Sequence, residues 1–295
     1  MDDDAKRGDR QRDPARRRFL DYPLVLMVIG AVAVIAAWIG SIIAVGKVDT
    51  PRLSPLILLE GAFVIACAVA AYWLFCRYAE RAPMRDFARH RSGAELLAGF
   101  VGGALIFAAV IGAAAAVGVY RIEGEGDPAT LWVSLAFLAL VPGFTEEILF
   151  RGILFRFIER AGGSGIALAV TSLFFGLAHI FNPNATIFSS LAIALEAGLV
   201  LGAVYMLTRR LWAVIGGHAA WNFTQGWIFG VPVSGGEAEG LIRSSRSGPE
   251  LLTGGDFGLE ASLIALVVAT AAGIAILLVA IRRGRWVPMR AQRKE

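Results

Sequence analysis

Eight stretches of mainly apolar residues, each about 20 residues long, leave this chain few ways to fold. They run roughly over 22–45, 54–76, 94–120, 130–158, 164–181, 186–207, 211–230 and 258–281. A helix of that length crosses about 30 Å of hydrocarbon. It also satisfies its own backbone hydrogen bonds, which lipid cannot do for it. The chain is 57% hydrophobic and only 18% charged, with a mean hydropathy of +0.64. The fold class expected is all-α, a polytopic membrane helical bundle of about eight transmembrane helices, whose surrounding partner is the lipid bilayer.

The basic residues test that count. Connections on the cytoplasmic side of a membrane protein are enriched in Lys and Arg. With eight spans, 22 Lys/Arg fall on one set of alternating connections and tails, and five fall on the other (Lys47, Arg52, Arg121, Arg243 and Arg246). Arg151 remains, inside the fourth span. A missed or invented span would destroy this split, so both termini are expected in the cytoplasm of a multi-pass cell (plasma) membrane protein. The first span is too long for a signal peptide and lacks a convincing cleavage site, and is read as a retained anchor.

The organisation follows from these blocks. Residues 1–21, with seven Lys/Arg interleaved with Asp2, Asp3, Asp4, Asp9 and Asp13, read as a disordered cytoplasmic tail. Spans 1–3 occupy 22–120, a core 130–233, an external loop 234–257, the last span 258–281, and a basic tail 282–295. Pro232, Gly235, Gly236, Gly254 and Gly255 make the external connection look like a mobile linker, with a cap over the bundle as the alternative. Cys67 and Cys76 share one span at about 13 Å along a helix, too far for a disulfide. No basic face with aromatic platforms exists, so nucleic acid is not an expected partner.

The chemistry concentrates in three spans. Glu146 and Glu147 are adjacent in the fourth. Two carboxylates at membrane depth cost about 2.5 kcal/mol or more each, which marks a functional site. Glu147 and Arg151 stand i,i+4 with the acid first, the favourable order for a helical ion pair. Glu146 points about 100° away and lacks that partner, which suits it to accept a proton from water. A turn near Gly162-Gly163 makes the fourth and fifth spans a hairpin, and Glu146 and His179 each lie about 16 residues from it, so they share a depth. In the seventh span His218 and Asn222 are i,i+4 on one face and offer hydrogen-bond donors for a negative oxygen. Gly216 and Gly217 leave room beside them for a substrate or a helix.

Taken singly, each of these residues has a structural reading: a satisfied core histidine, a helix-stabilising ion pair, an asparagine that glues helices. Together, Glu146-Glu147-x-x-x-Arg151, Phe175-x-x-x-His179 and His218-x-x-x-Asn222 resemble the three ordered motifs of the CAAX prenyl protease and bacteriocin-processing (CPBP, Abi) family. The stretches Asn182–Thr186, Glu196–Gly198 and His218–Gly226 resemble its bacterial members. The likeness covers about 130–233 and implies an eight-helix intramembrane endopeptidase. It implies that Glu146 and His179 activate water while His218 and Asn222 form the oxyanion site, with Glu147, Arg151 and Phe175 in support. The implied substrate is a membrane-associated peptide or protein, prenylated or leader-type, cut in or near the cytoplasmic leaflet.

Two His and a Glu would also offer zinc three ligands and an open position. No His-Glu-x-x-His helix is present, and no spare carboxylate remains as base once Glu146 is a ligand, so the expectation is no cofactor, with zinc as the alternative. A proton-coupled transporter using Glu60, Glu146 and Glu196, or an idle scaffold of the same fold, are the competing functions; no pair of related halves supports the carrier. Glu196 is expected to pair with a bundle donor or shape the cavity, Phe174 and Phe175 to be core or wall, and His90 to be a solvated surface residue.

Overall fold

A computed structural model describes residues 21–48 and 50–289; the amino-terminal tail and the end of the carboxyl tail lie outside it. The helices are α1 Pro23–Val45, α2 Ile57–Leu74, α3 Ser92–Ala116, α4 Val141–Glu147, α5 Arg156–Ala178, α6 Ile187–Ile193, α7 Leu199–Thr208, α8 Leu211–Phe223 and α9 Leu263–Arg282. Six helical stretches are long and apolar enough to cross a membrane. One of them, Pro128–Phe181, cannot be straight. Its Phe150 and Phe175 rings lie 4.9 Å apart, whereas 25 residues of helix would separate them by about 37 Å. The chain reverses at Gly163, whose φ of 82° no other residue type adopts readily, so this stretch is the expected hairpin of two crossings. The eighth crossing is α8 with the wide turns that carry it to Ile228. Its His, Asn, Thr and Gln lower its hydropathy, yet it is buried along almost its whole length, so bilayer lipid is not its solvent. The chain is an all-α polytopic bundle, as its apolar blocks dictate.

Two knots of polar contacts define the ends of the bundle. At the end carrying the Arg-rich connections, Glu80 accepts from Arg156 at 2.8 Å and Arg160 at 2.7 Å. Asp86 accepts from the hydroxyls of Tyr72 at 2.6 Å and Tyr205 at 2.8 Å, and Arg210 pairs with Glu95 at 3.0 Å. The opposite end joins the other set of connections. There β1 Tyr120–Glu125 pairs antiparallel with β2 Ile242–Arg246, Thr130 donates to Glu239 O at 2.8 Å, and Asn182 Nδ2 donates to Ser234 O at 3.1 Å. The segregation of Lys and Arg along the sequence is thus a segregation between two faces of the molecule.

Two boundaries and the character of one connection differ from the sequence reading. The third helix stops at Ala116 because Gly118, with φ 79°, turns the chain into β1. The last helix begins at Leu263, where the Ser262 hydroxyl caps Ala265 N; residues 258–262 belong to the preceding connection. That connection is not a free linker. Val231, Val233, Phe257 and Leu259 are buried, and β2 and the Gly235 N to Phe257 O bond hold it across the bundle end, which is the capping alternative.

The closest helix contact is backbone on backbone. A Cβ on Gly103 would come within 2.2 Å of Gly217 O, and one on Gly216 within 2.2 Å of Leu96 O. The room beside Gly216 and Gly217 is therefore taken by α3. Gly103→Val is expected to force α3 off α8 and to cost several degrees of melting temperature in detergent; thermal unfolding of the purified variant checks it. An unchanged melting temperature would mean that the two helices part freely.

Candidate active site

The site begins with a helix that changes pitch. After α4 the chain takes wide π-type turns over Ile148–Phe155, and a second such segment spans Ala194–Gly198. Such turns leave carbonyls without their helical partner. Two of them, Ala197 O at 3.3 Å and Gly198 O at 3.2 Å, accept from Arg151 Nη2. Arg151 Nη1 donates to both oxygens of Glu147 at 2.9 Å, and its guanidinium lies 4.7 Å from the centre of the Phe175 ring. Both partners of this pair are wholly buried. The ion pair expected from i,i+4 spacing is therefore present, and it bridges two spans.

Glu147 has a second partner that spacing did not reveal. His218 Nδ1 lies 2.7 Å from Glu147 Oε1. An ionised carboxylate only accepts, so Nδ1 carries the proton and Nε2 is left for other work. His179 is fixed in the same manner: its Nδ1 donates to Phe175 O at 2.7 Å. Phe175 sits between the two imidazoles, with ring centres 5.0 Å from His179 and 5.9 Å from His218. Asn222 spends one N–H on Leu138 O at 2.9 Å and keeps the other. The fold thus brings His179, His218, Asn222 and Phe175 to one cavity of about 20 Å³, roughly the room that one water requires.

Glu146 lies apart from this arrangement. It is half-buried, makes no side-chain hydrogen bond among the described residues, and does not line the cavity. Its Oε2 is sealed from solvent without a partner. The carboxylate that touches an imidazole is Glu147. Phe174 turns away from the core and is 53% exposed, a lipid-facing position.

Seven further residues line the cavity, among them Glu196, Trp221, Ser234 and Glu260. Glu196 is wholly buried, and neither of its oxygens has a partner, so it shapes the cavity and pairs with no donor. Glu260 arrives from the connection across the bundle end and accepts from Ser234 N. Burial pushes its carboxyl above the usual range, an effect opposed in part by that hydrogen bond. The signal for Glu260 was present in the sequence as a glutamate beside the Ser262 cap, but counting it inside the last span hid it.

Among the described residues no group of three or more His, Cys, Asp and Glu is disposed to hold a metal ion. Glu147, the carboxylate nearest an imidazole, is engaged by Arg151 and His218.

The buried ion pair generates a stability prediction. Arg151→Met leaves Glu147 charged and buried, and is expected to destabilise the protein by about 3–5 kcal/mol. Pairing it with Glu147→Gln removes the stranded charge and is expected to recover part of the loss, measured by denaturant unfolding in micelles. Equal stability of Arg151→Met and the wild type would show that the pair holds nothing together.

Residues 128–224, about a third of the chain, match the family model described as "Type II CAAX prenyl endopeptidase Rce1-like". The match includes all three motifs and stops short of Ser234 and Glu260. No curated protein and no solved structure matched the chain.

Proposed function

We propose, from a motif-bearing core that matches the type II CAAX prenyl endopeptidase family model, that this multi-pass membrane protein hydrolyses a peptide bond of a membrane-associated substrate with water activated by its own side chains. The observation that carries the reading is the convergence of two imidazoles and a carboxamide on a water-sized cavity deep in an apolar bundle.

A base takes a proton from a water admitted with the substrate between Glu146 and the cavity, and the resulting hydroxide adds to the scissile carbonyl carbon. Glu146, assisted by His179, is our assignment for that base; its unpartnered Oε2 has not been spent on a structural bond. Negative charge then develops on the carbonyl oxygen. The free N–H of Asn222 and a protonated Nε2 of His218 donate to it. Glu147 faces the imidazolium that this requires, and Arg151 holds Glu147 in place in turn. Collapse of the intermediate breaks the C–N bond, and the proton held by the base passes to the leaving nitrogen.

One contact favours a second reading. With Nδ1–H held by a carboxylate, a neutral His218 presents a bare Nε2, which is the orientation of a carboxylate-assisted base. His218 would then take the water proton, and Glu146 would act electrostatically.

The two readings separate on one pair of variants. Glu146→Gln is expected to abolish cleavage of a membrane substrate while the protein still inserts and melts like the wild type. Glu147→Gln is expected to reduce cleavage less. The reverse order would assign the base to the Glu147–His218 pair. Asn222→Ala is expected to lower kcat by about 10²–10³ with little change in KM. A preparation inactivated by a strong chelator and restored by zinc would replace the water-activation scheme with a metal-dependent one.

A further inference from the structure

The cavity has a front and a back. Its front wall consists of Ser234 and Glu260, both from the connection that β2 anchors across the bundle end. This end is opposite to the one where Arg156, Arg160 and Arg210 are knotted to Glu80 and Glu95. Glu146 and His179 confirm the depth along the chain. Each lies about 16 residues, or about 24 Å of helix, from the reversal at Gly163 on the basic side, in a bilayer core about 30 Å thick.

Two grooves open on the same end. One, of about 320 Å³, runs past Asn184, Thr186, Glu250 and Phe257 to Ala261, next to Glu260. The other, of about 470 Å³, runs past Arg52, Thr130, Glu237 and Glu239 to Leu138, whose carbonyl holds Asn222. Neither groove shares a wall residue with the cavity, but one ends at the chain neighbour of Glu260 and the other at the residue that holds Asn222. An extended polypeptide needs such a pair of channels flanking the bond to be cut.

Positive charge sets which end is which. The basic end carries the Arg-rich connections, and the grooved end carries only five Lys/Arg in all. We propose that the catalytic cavity is served from the non-cytoplasmic side, and that its substrates are extended segments of membrane-anchored polypeptides exposed on that side. This rests on the peptidase reading above and names the substrate class of the same site. Segments that never leave the cytoplasm meet only the ion-paired end.

The test has two parts in intact cells. Arg121→Cys at the grooved end and Arg89→Cys at the basic end are labelled with a membrane-impermeant maleimide, with the unsubstituted protein as blank. Arg121→Cys is expected to label in intact cells, and Arg89→Cys only after permeabilisation. New peptide termini are then mapped in membranes of cells carrying wild type or Glu146→Gln. Termini that depend on the wild type are expected in non-cytoplasmic segments, enriched at least tenfold over cytoplasmic ones. Labelling in the opposite sense, or wild-type-dependent termini confined to cytoplasmic segments, would overturn the proposal while leaving the peptidase intact. Correct labelling with no wild-type-dependent termini would overturn the peptidase reading, and this proposal with it.

Discussion

One carboxylate holds the functional half of this bundle together. Glu147 is fully buried, and it receives Arg151 from its own span and His218 from α8. Arg151 in turn reaches the carbonyls of Ala197 and Gly198. Three segments distant in sequence are therefore tied to a single anion. In hydrocarbon such an anion is tolerable only with its partners in place, so the charge enforces the assembly. The neighbouring glutamate carries no such burden: among the described residues Glu146 makes no side-chain hydrogen bond.

The π-type turns explain how a helix delivers both. A regular helix satisfies its carbonyls internally and has none to offer a neighbouring arginine. By widening at Ile148–Phe155 and Ala194–Gly198 the chain places Arg151 and Glu196 on irregular backbone, surrounded by protein. Irregular backbone at membrane depth is tolerated where protein or a cavity covers it. Here it lies around the cavity and the charges that line it.

The spans, their number and the segregation of basic residues were legible in the sequence, because hydropathy and charge are written residue by residue. The Gly163 reversal and the Glu147–Arg151 pair were legible because they are local. The Glu147–His218 bond was not, because i,i+4 reasoning sees one helix at a time and cannot tell which of two adjacent glutamates faces a third element. The ordered roof was missed for a related reason. Its glycines read as freedom, but Gly235 and Gly258 are needed where the chain packs within van der Waals contact of Pro183 O and Pro232 O. Glycine marks close approach as often as motion.

The contact of α3 with α8 has a mechanical consequence. Because Gly103 and Gly216 bring main chains together with no side chain between them, the spacing of the two helices is set by covalent geometry. A thinner or thicker bilayer can tilt this pair as a unit, but it cannot slide one helix along the other without driving peptide groups into each other. The height of His218 above its surroundings is thereby insulated from lipid composition, so the geometry on which the proposed reaction rests is the same in membranes of differing thickness.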